Sequence, residues 1–226
     1  MEELAKALGP ATGAGARLVQ FVAADPGEGV STVARAFALK AAERAKRAVW
    51  LIELDLMGGV QYGEIAADPE HYGFLGKGAR ASPDGSCFFK IEPRVMGVDG
   101  RPWAAARYLS AYQVGGRKLW VTRFRREALR PGQTVTATGD GAYWKALRAH
   151  ADFVVIDAQS LKTSRNALAV APWVDANLLV VSADRTDTGA PQVLRAEIER
   201  AGGYCAGVVL NRAHAEPPQF LKAMLP

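Results

Sequence analysis

The sequence has few of the residues that build metal centres and cross-links. It contains two cysteines, Cys87 and Cys205, and three histidines, His71, His150 and His214. The cysteines lie far apart, with no CxxC or Cys/His spacing, so neither a metal knuckle nor a redox pair is expected. Two buried thiols in a cytosolic protein are the simple account, with Cys205 a small core residue. The histidines are scattered and form no metal or triad constellation. No apolar run approaches the roughly 20 residues that cross a bilayer. The opening "MEELAKALGP" carries acidic residues and no apolar stretch, unlike a signal peptide. Internal repeats and low-complexity tracts are missing too. These absences lead to the expectation of a cytoplasmic protein, held at the inner membrane, if at all, through a partner.

What is present is ordinary globular material. The chain has 226 residues, 49% hydrophobic and 23% charged, enough for one sizeable α/β domain over 1–226. The net charge of +5 and pI of 9.3 are moderate. They suit phosphates, an acidic protein or lipid headgroups, and they suit a solvated basic face equally well.

Short apolar runs recur at 17–24, 48–54, 118–124, 152–158, 176–183 and 206–212. Most are continuous rather than alternating, the pattern of strands covered on both faces. Helix-like segments at 31–47 and 187–201 lie between them. Strand–helix alternation predicts a three-layer α/β/α domain with a mainly parallel sheet. The middle, about 58–117, breaks this rhythm with glycine, proline and turn pairs. Within it "CFFKIEP" and "ARYLSAYQV" read as extra strands or as a hairpin, which periodicity does not decide.

The stretch "PGEGVST" (26–32) follows an apolar strand and precedes a helix, as a phosphate-binding loop does. Gly27 and Gly29 allow the backbone to turn and approach closely. The N–H groups from Gly27 through Glu28, Gly29, Val30, Ser31 and Thr32 are placed to converge on an anion at a helix N-terminus. Ser31 is placed to ligate magnesium, and Thr32 to contact an α-phosphate. The lysine such loops carry is replaced by Val30. That removes the full mobile charge at the β/γ-phosphates, an effect of about 3 kcal/mol or more on the transition state. Arg35, one turn on, is expected to point away.

Three other strands end in polar residues: "VWLIELDLMGG" with Glu53 and Asp55, "ADFVVIDAQS" with Asp157, and "AGVVLNR" with Asn211. In an open parallel sheet ligands sit beyond the carboxyl ends of the strands, so these ends gather at the loop. Taken in order, the motifs resemble the deviant Walker P-loop ATPases of the ParA/MinD superfamily. Within it they are most similar to the bacterial tyrosine-kinase (BY-kinase) domains of exopolysaccharide assembly. The resemblance covers roughly 17–67 and 118–212. It implies that Asp55 is the catalytic acid, that Asp157 and Ser31 together with Asp55 hold magnesium, and that Asn211 reads the adenine edge. The implied cofactors are ATP or ADP with magnesium, if the altered loop still takes them. The implied partner is a membrane polysaccharide co-polymerase, with homo-oligomerisation open and nucleic acid disfavoured.

The departures point one way. Val30 replaces lysine, Glu53 and Met57 replace the Asp and Arg of the second motif, and Gln159-Ser160 replaces Pro-Pro. The tail "AEPPQFLKAMLP" has no tyrosine cluster, and the family's N-terminal assembly helix is reduced to "EELAKAL". The leading expectation is a pseudokinase or pseudo-ATPase partner in exopolysaccharide, capsule or holdfast production. The alternative is a ParA/MinD-type positional ATPase acting on DNA or membrane, against which the superfamily's signature lysine is Asp25 here.

Overall fold

The computed structural model describes residues 15–184 and 189–212 apart from residue 98, together with Leu4 and Leu8. Most of "EELAKAL", the start of the expected 187–201 helix, His214 and the C-terminal tail lie outside the described residues.

In chain order the first half contains β1 (Arg17–Val22), α1 (Val30–Arg44), β2 (Ala48–Glu53), α2 (Val60–Ala67) and the one-turn α3 (Pro69–Tyr72). Then come β3 (Ala79–Arg80), β4 (Phe89–Glu92), β5 (Leu109–Gln113), β6 (Leu119–Phe124) and β7 (Thr134–Ala137). The chain continues with α4 (Ala142–His150), β8 (Ala151–Asp157), α5 (Asn166–Val170), β9 (Ala176–Ser182), α6 (Ala190–Arg200) and β10 (Cys205–Asn211). All six apolar runs are strands. With β5 and β3 of the middle stretch they form an eight-stranded sheet in the order β10-β9-β1-β8-β2-β6-β5-β3. Every pairing from β10 to β6 is parallel, and β5 and β3 extend the β6 edge antiparallel.

Both faces of the sheet are covered, which is why the inner strands read as unbroken apolar runs. Val19, Phe21, Leu51 and Val155 pack beneath α1, which presents Val33, Ala34, Phe37, Ala38 and Ala41 at helical spacing. Phe37 lies between Phe21 and Phe153, with ring centroids 5.5 and 6.0 Å away. On the opposite face Leu18, Ile52, Val154 and Ile156 meet Tyr143, Trp144 and Leu147 of α4 and Leu194 and Ile198 of α6. The result is the expected three-layer α/β/α domain.

The middle stretch holds more order than its glycines and prolines suggest. "ARYLSAYQV" contains β5, which forms a hairpin with β6. "CFFKIEP" contains β4, whose partner is β7, some forty residues further on, in a separate two-stranded sheet. Phe88 and Phe89 anchor that sheet by packing on Tyr143, Trp144 and Phe124 at centroid distances of 5.1–5.3 Å. Cys87 and Cys205 are both free and half-buried rather than fully enclosed.

Candidate nucleotide site

The loop between β1 and α1 turns at Gly27 and Gly29, with φ of 80° and 87°. Gly29 is required twice over: L side chains avoid that φ, and a Cβ there would stand 2.1 Å from Asn211 Nδ2. No side chain caps α1, so the uncapped N–H groups of its first turn border a cavity of about 280 Å³. Loop residues 25–31 line it, together with Glu53, Asp55 and Asp157 from the strand ends. Val30 borders this cavity while its side chain is buried against the α1 core. Thr32 is exposed and does not line the cavity. Glu28 is buried and folds back, its Oε2 accepting the Asp25 N–H at 3.4 Å. Asn211 Nδ2 donates to the Glu28 carbonyl at 2.9 Å, fastening the end of β10 to the loop.

Register explains the carboxylates. Asp157 is aligned with Phe21 of β1 on one side and Glu53 of β2 on the other. The two acids therefore lie side by side at the ends of adjacent strands. Glu53 spends its oxygens on the start of α2, accepting the Val60 N–H at 2.8 Å and the Gln61 N–H at 3.1 Å. Burial pushes its pKa up to about 7, against the pull of those two N–H donors, and the Asp157 and Asp55 charges push the same way as burial. Burial also raises Asp157, opposed by hydrogen bonds from Gln61 and Ser31 and by the charge of Arg35. Asp55 closes an Asx turn, its Oδ1 accepting the N–H of Met57 at 3.2 Å and of Gly58 at 2.9 Å.

Gln61 is the residue that sequence reasoning missed. It is fully buried, and its Nε2 donates to Asp157 Oδ2 at 2.6 Å and to the Ser31 carbonyl at 2.8 Å. Its Oε1 accepts from Arg35 Nη1 at 3.1 Å. The amide orientation is fixed chemically: arginine only donates and a carbonyl only accepts. Arg35 does not point away. It is buried behind the loop, held by Gln61, by Glu64 at 3.6 Å and by the face of Tyr72. No motif marks Gln61, because its role comes from the meeting of α1, β8 and α2. A second unpredicted group is Lys162, after β8, which forms an ion pair with Asp25 of the loop.

Ser31 and Asp157 together offer the hydroxyl and carboxylate oxygens that suit magnesium, which keeps several waters and needs only one or two protein ligands. They would hold the ion, and its charge would neutralise the β/γ-phosphates. The Gln61 amide donates to Asp157 Oδ2, so an ion that takes that oxygen has to displace an N–H donor. Among the described residues no three His, Cys, Asp or Glu side chains converge as a metal cluster, and no helix is long and apolar enough to cross a membrane.

No protein-family model matches the chain, and no curated protein sequence matches it. Solved structures do. The VpsO kinase domain aligns with 88% of this chain and 86% of its own, at 20% identity and a TM-score of 0.53. The kinase domain of the Escherichia coli tyrosine kinase ETK aligns over 89% and 71%, at 16% identity and 0.51. The cell-division protein MinD of Aquifex aeolicus aligns over 92% and 73%, at 14% identity and 0.51. At such identities the likeness is one of fold. With the glycine loop at the start of α1 and the acidic strand ends beside it, the chain has the P-loop NTPase fold shared by bacterial tyrosine-kinase domains and MinD-type ATPases.

Proposed function

We propose that this protein is a kinase-derived partner in exopolysaccharide, capsule or holdfast synthesis and export. In this reading it docks on a membrane polysaccharide co-polymerase and transfers phosphate weakly or not at all. The polysaccharide assignment is supported by the order of the sequence motifs and by the kinase names of the VpsO and ETK neighbours. The observation that carries weak activity is the way Asp157 is satisfied. Its carboxylate is bonded by Gln61, with Arg35 behind, while the loop position that should project a cation into the cavity holds Val30. The cradle therefore offers backbone dipoles but no lysine charge where a transferring phosphoryl group develops its own. Removing one such electrostatic group costs roughly 100- to 1,000-fold in rate.

Calorimetric titration of ATP and ADP with magnesium tests the site, on the wild type, Val30→Lys and Asp157→Ala. Val30→Lys places a cation at the border of the cavity and is expected to tighten ATP at least tenfold, with Asp157→Ala abolishing the gain. Robust magnesium-dependent turnover by the wild type refutes the weak-activity reading. The docking half is checked by co-purification with the cytoplasmic segment of the co-polymerase.

A positional ATPase of the MinD kind remains the second reading, because MinD shares the fold as closely as ETK does. Nucleotide-dependent binding to lipid vesicles or DNA would favour it.

A further inference from the structure

The basic charge of the molecule is concentrated in one region. Residues 73–138 hold twelve Lys and Arg against four Asp and Glu, a net +8 in a chain of +5 overall, which leaves the remainder at −3. This region contains two adjoining cavities, of about 320 and 570 Å³, that share Gly85 and Ala104 in their walls. Ligand sites span roughly 300–1,000 Å³. Neither cavity shares a lining residue with the P-loop cavity.

The smaller cavity is apolar at its floor, with Phe89, Ile91 and Val95 buried there, and Trp103 forms one wall. Trp103 is 38% exposed. The Arg107 guanidinium sits 4.8 Å and that of Arg130 5.7 Å from the centroid of its ring. Arg94 lines this cavity, and Arg80 and Arg107 line the larger one. Arg80 and Arg94 are exposed and engage no carboxylate among the described residues. The one acid in the walls, Asp84, is taken up by the hydroxyls of Ser82 and Ser86. Guanidinium groups bind phosphate oxygens in a planar, two-pronged way, and an apolar floor edged by an indole accepts a flat ring.

We propose that this groove is a second ligand site, which takes a nucleoside diphosphate: ring on the apolar floor beside Trp103, phosphates on Arg80, Arg94 and Arg107. The arginines supply the positive charge that magnesium supplies at a P-loop, so binding here needs no metal. A single-stranded nucleic acid carries the same groups, but the groove encloses one unit rather than a track of them.

The test uses the full chain in EDTA, titrated with UDP and followed by tryptophan fluorescence and calorimetry. UDP is expected to saturate one site, to quench a signal missing in Trp103→Phe, and to bind at least tenfold more weakly to Arg80→Ala/Arg94→Ala, whose side chains are exposed and carry no part of the fold. Saturating UDP is also expected to slow alkylation of Cys87, which lines the groove, at least fivefold, and to leave Cys205 unaffected. Four results overturn the proposal. They are no binding of UDP, binding only when magnesium is added, equal binding of inorganic pyrophosphate, and an oligouridylate that binds more than tenfold tighter than UDP.

Discussion

Asn211 and Gly29 are locked against each other, and a mutant cycle reads how tightly. Gly29→Ala places a Cβ 2.1 Å from Asn211 Nδ2 and forces an L side chain into φ of 87°. The left-handed backbone costs about 1–2 kcal/mol for a residue with a Cβ. Relieving the clash moves Asn211 off the Glu28 carbonyl, which loses a hydrogen bond worth about 1 kcal/mol net. Gly29→Ala is therefore expected to cost about 2–3 kcal/mol, or roughly 4–12 °C in Tm for a domain of this size. Asn211→Ala alone loses the same bond, about 1 kcal/mol. In the double variant that bond is lost only once and the steric conflict is gone. The two effects then fall short of additive by about 1 kcal/mol, beyond the few tenths expected of independent sites. Urea unfolding of the four proteins measures this coupling. Additivity would mean that Asn211 does not hold the loop in solution.

Gln61→Ala removes three hydrogen bonds, two of them to the charged groups Arg35 and Asp157, and is expected to cost about 2–4 kcal/mol in urea unfolding. A loss below 1 kcal/mol would show the network to be loose. Glu53 is raised from 4.5 to about 7 in the folded protein, so its stability contribution is greatest below pH 4.5 and declines as the pH rises through 7. Glu53→Gln should remove this decline, so the variant gains on the wild type by up to about 3 kcal/mol between pH 4.5 and 7.5. A pH-independent difference between the two refutes the shift. Burial, with Asp84 nearby, pushes the Cys87 thiol up to about 11. Iodoacetamide should therefore modify it at pH 8 at least tenfold more slowly than it modifies free cysteine, with the rate still climbing at pH 10. A plateau by pH 9 contradicts this.

The sheet was legible because its inner strands are covered on both sides. Runs such as "DFVVIDA" and "ANLLVVSA" are short, β-branched and bounded by polar residues, as buried strands are, and the ends of β2 and β8 fall in register as Glu53 beside Asp157. Legibility failed where no strand-end motif marks a distant partner. β4 finds β7 across a long stretch of turns, and nothing local in "CFFKIEP" specifies that partner. The direction of Arg35 was misread because helix spacing gives the face but not the reach of a long side chain, and the group it reaches belongs to another helix. Lys162 was invisible for a similar reason. Asp25 occupies the signature position, and a cation from the loop after β8 meets it there.

Gln61 belongs to two structures at once. Its side chain closes the space beside Asp157, and its backbone is in the first turn of α2, held there by Glu53. A cation that takes Asp157 Oδ2 from the Gln61 amide removes one of the ties between β8 and that turn, and α2 leads through α3 into the basic middle of the chain. By linkage the exchange runs in both directions with equal free energy. Arg123 of the middle region lies over the Tyr62 ring of α2, so whatever fastens that region bears on how readily Asp157 is surrendered, and the floor of the cradle works as a latch.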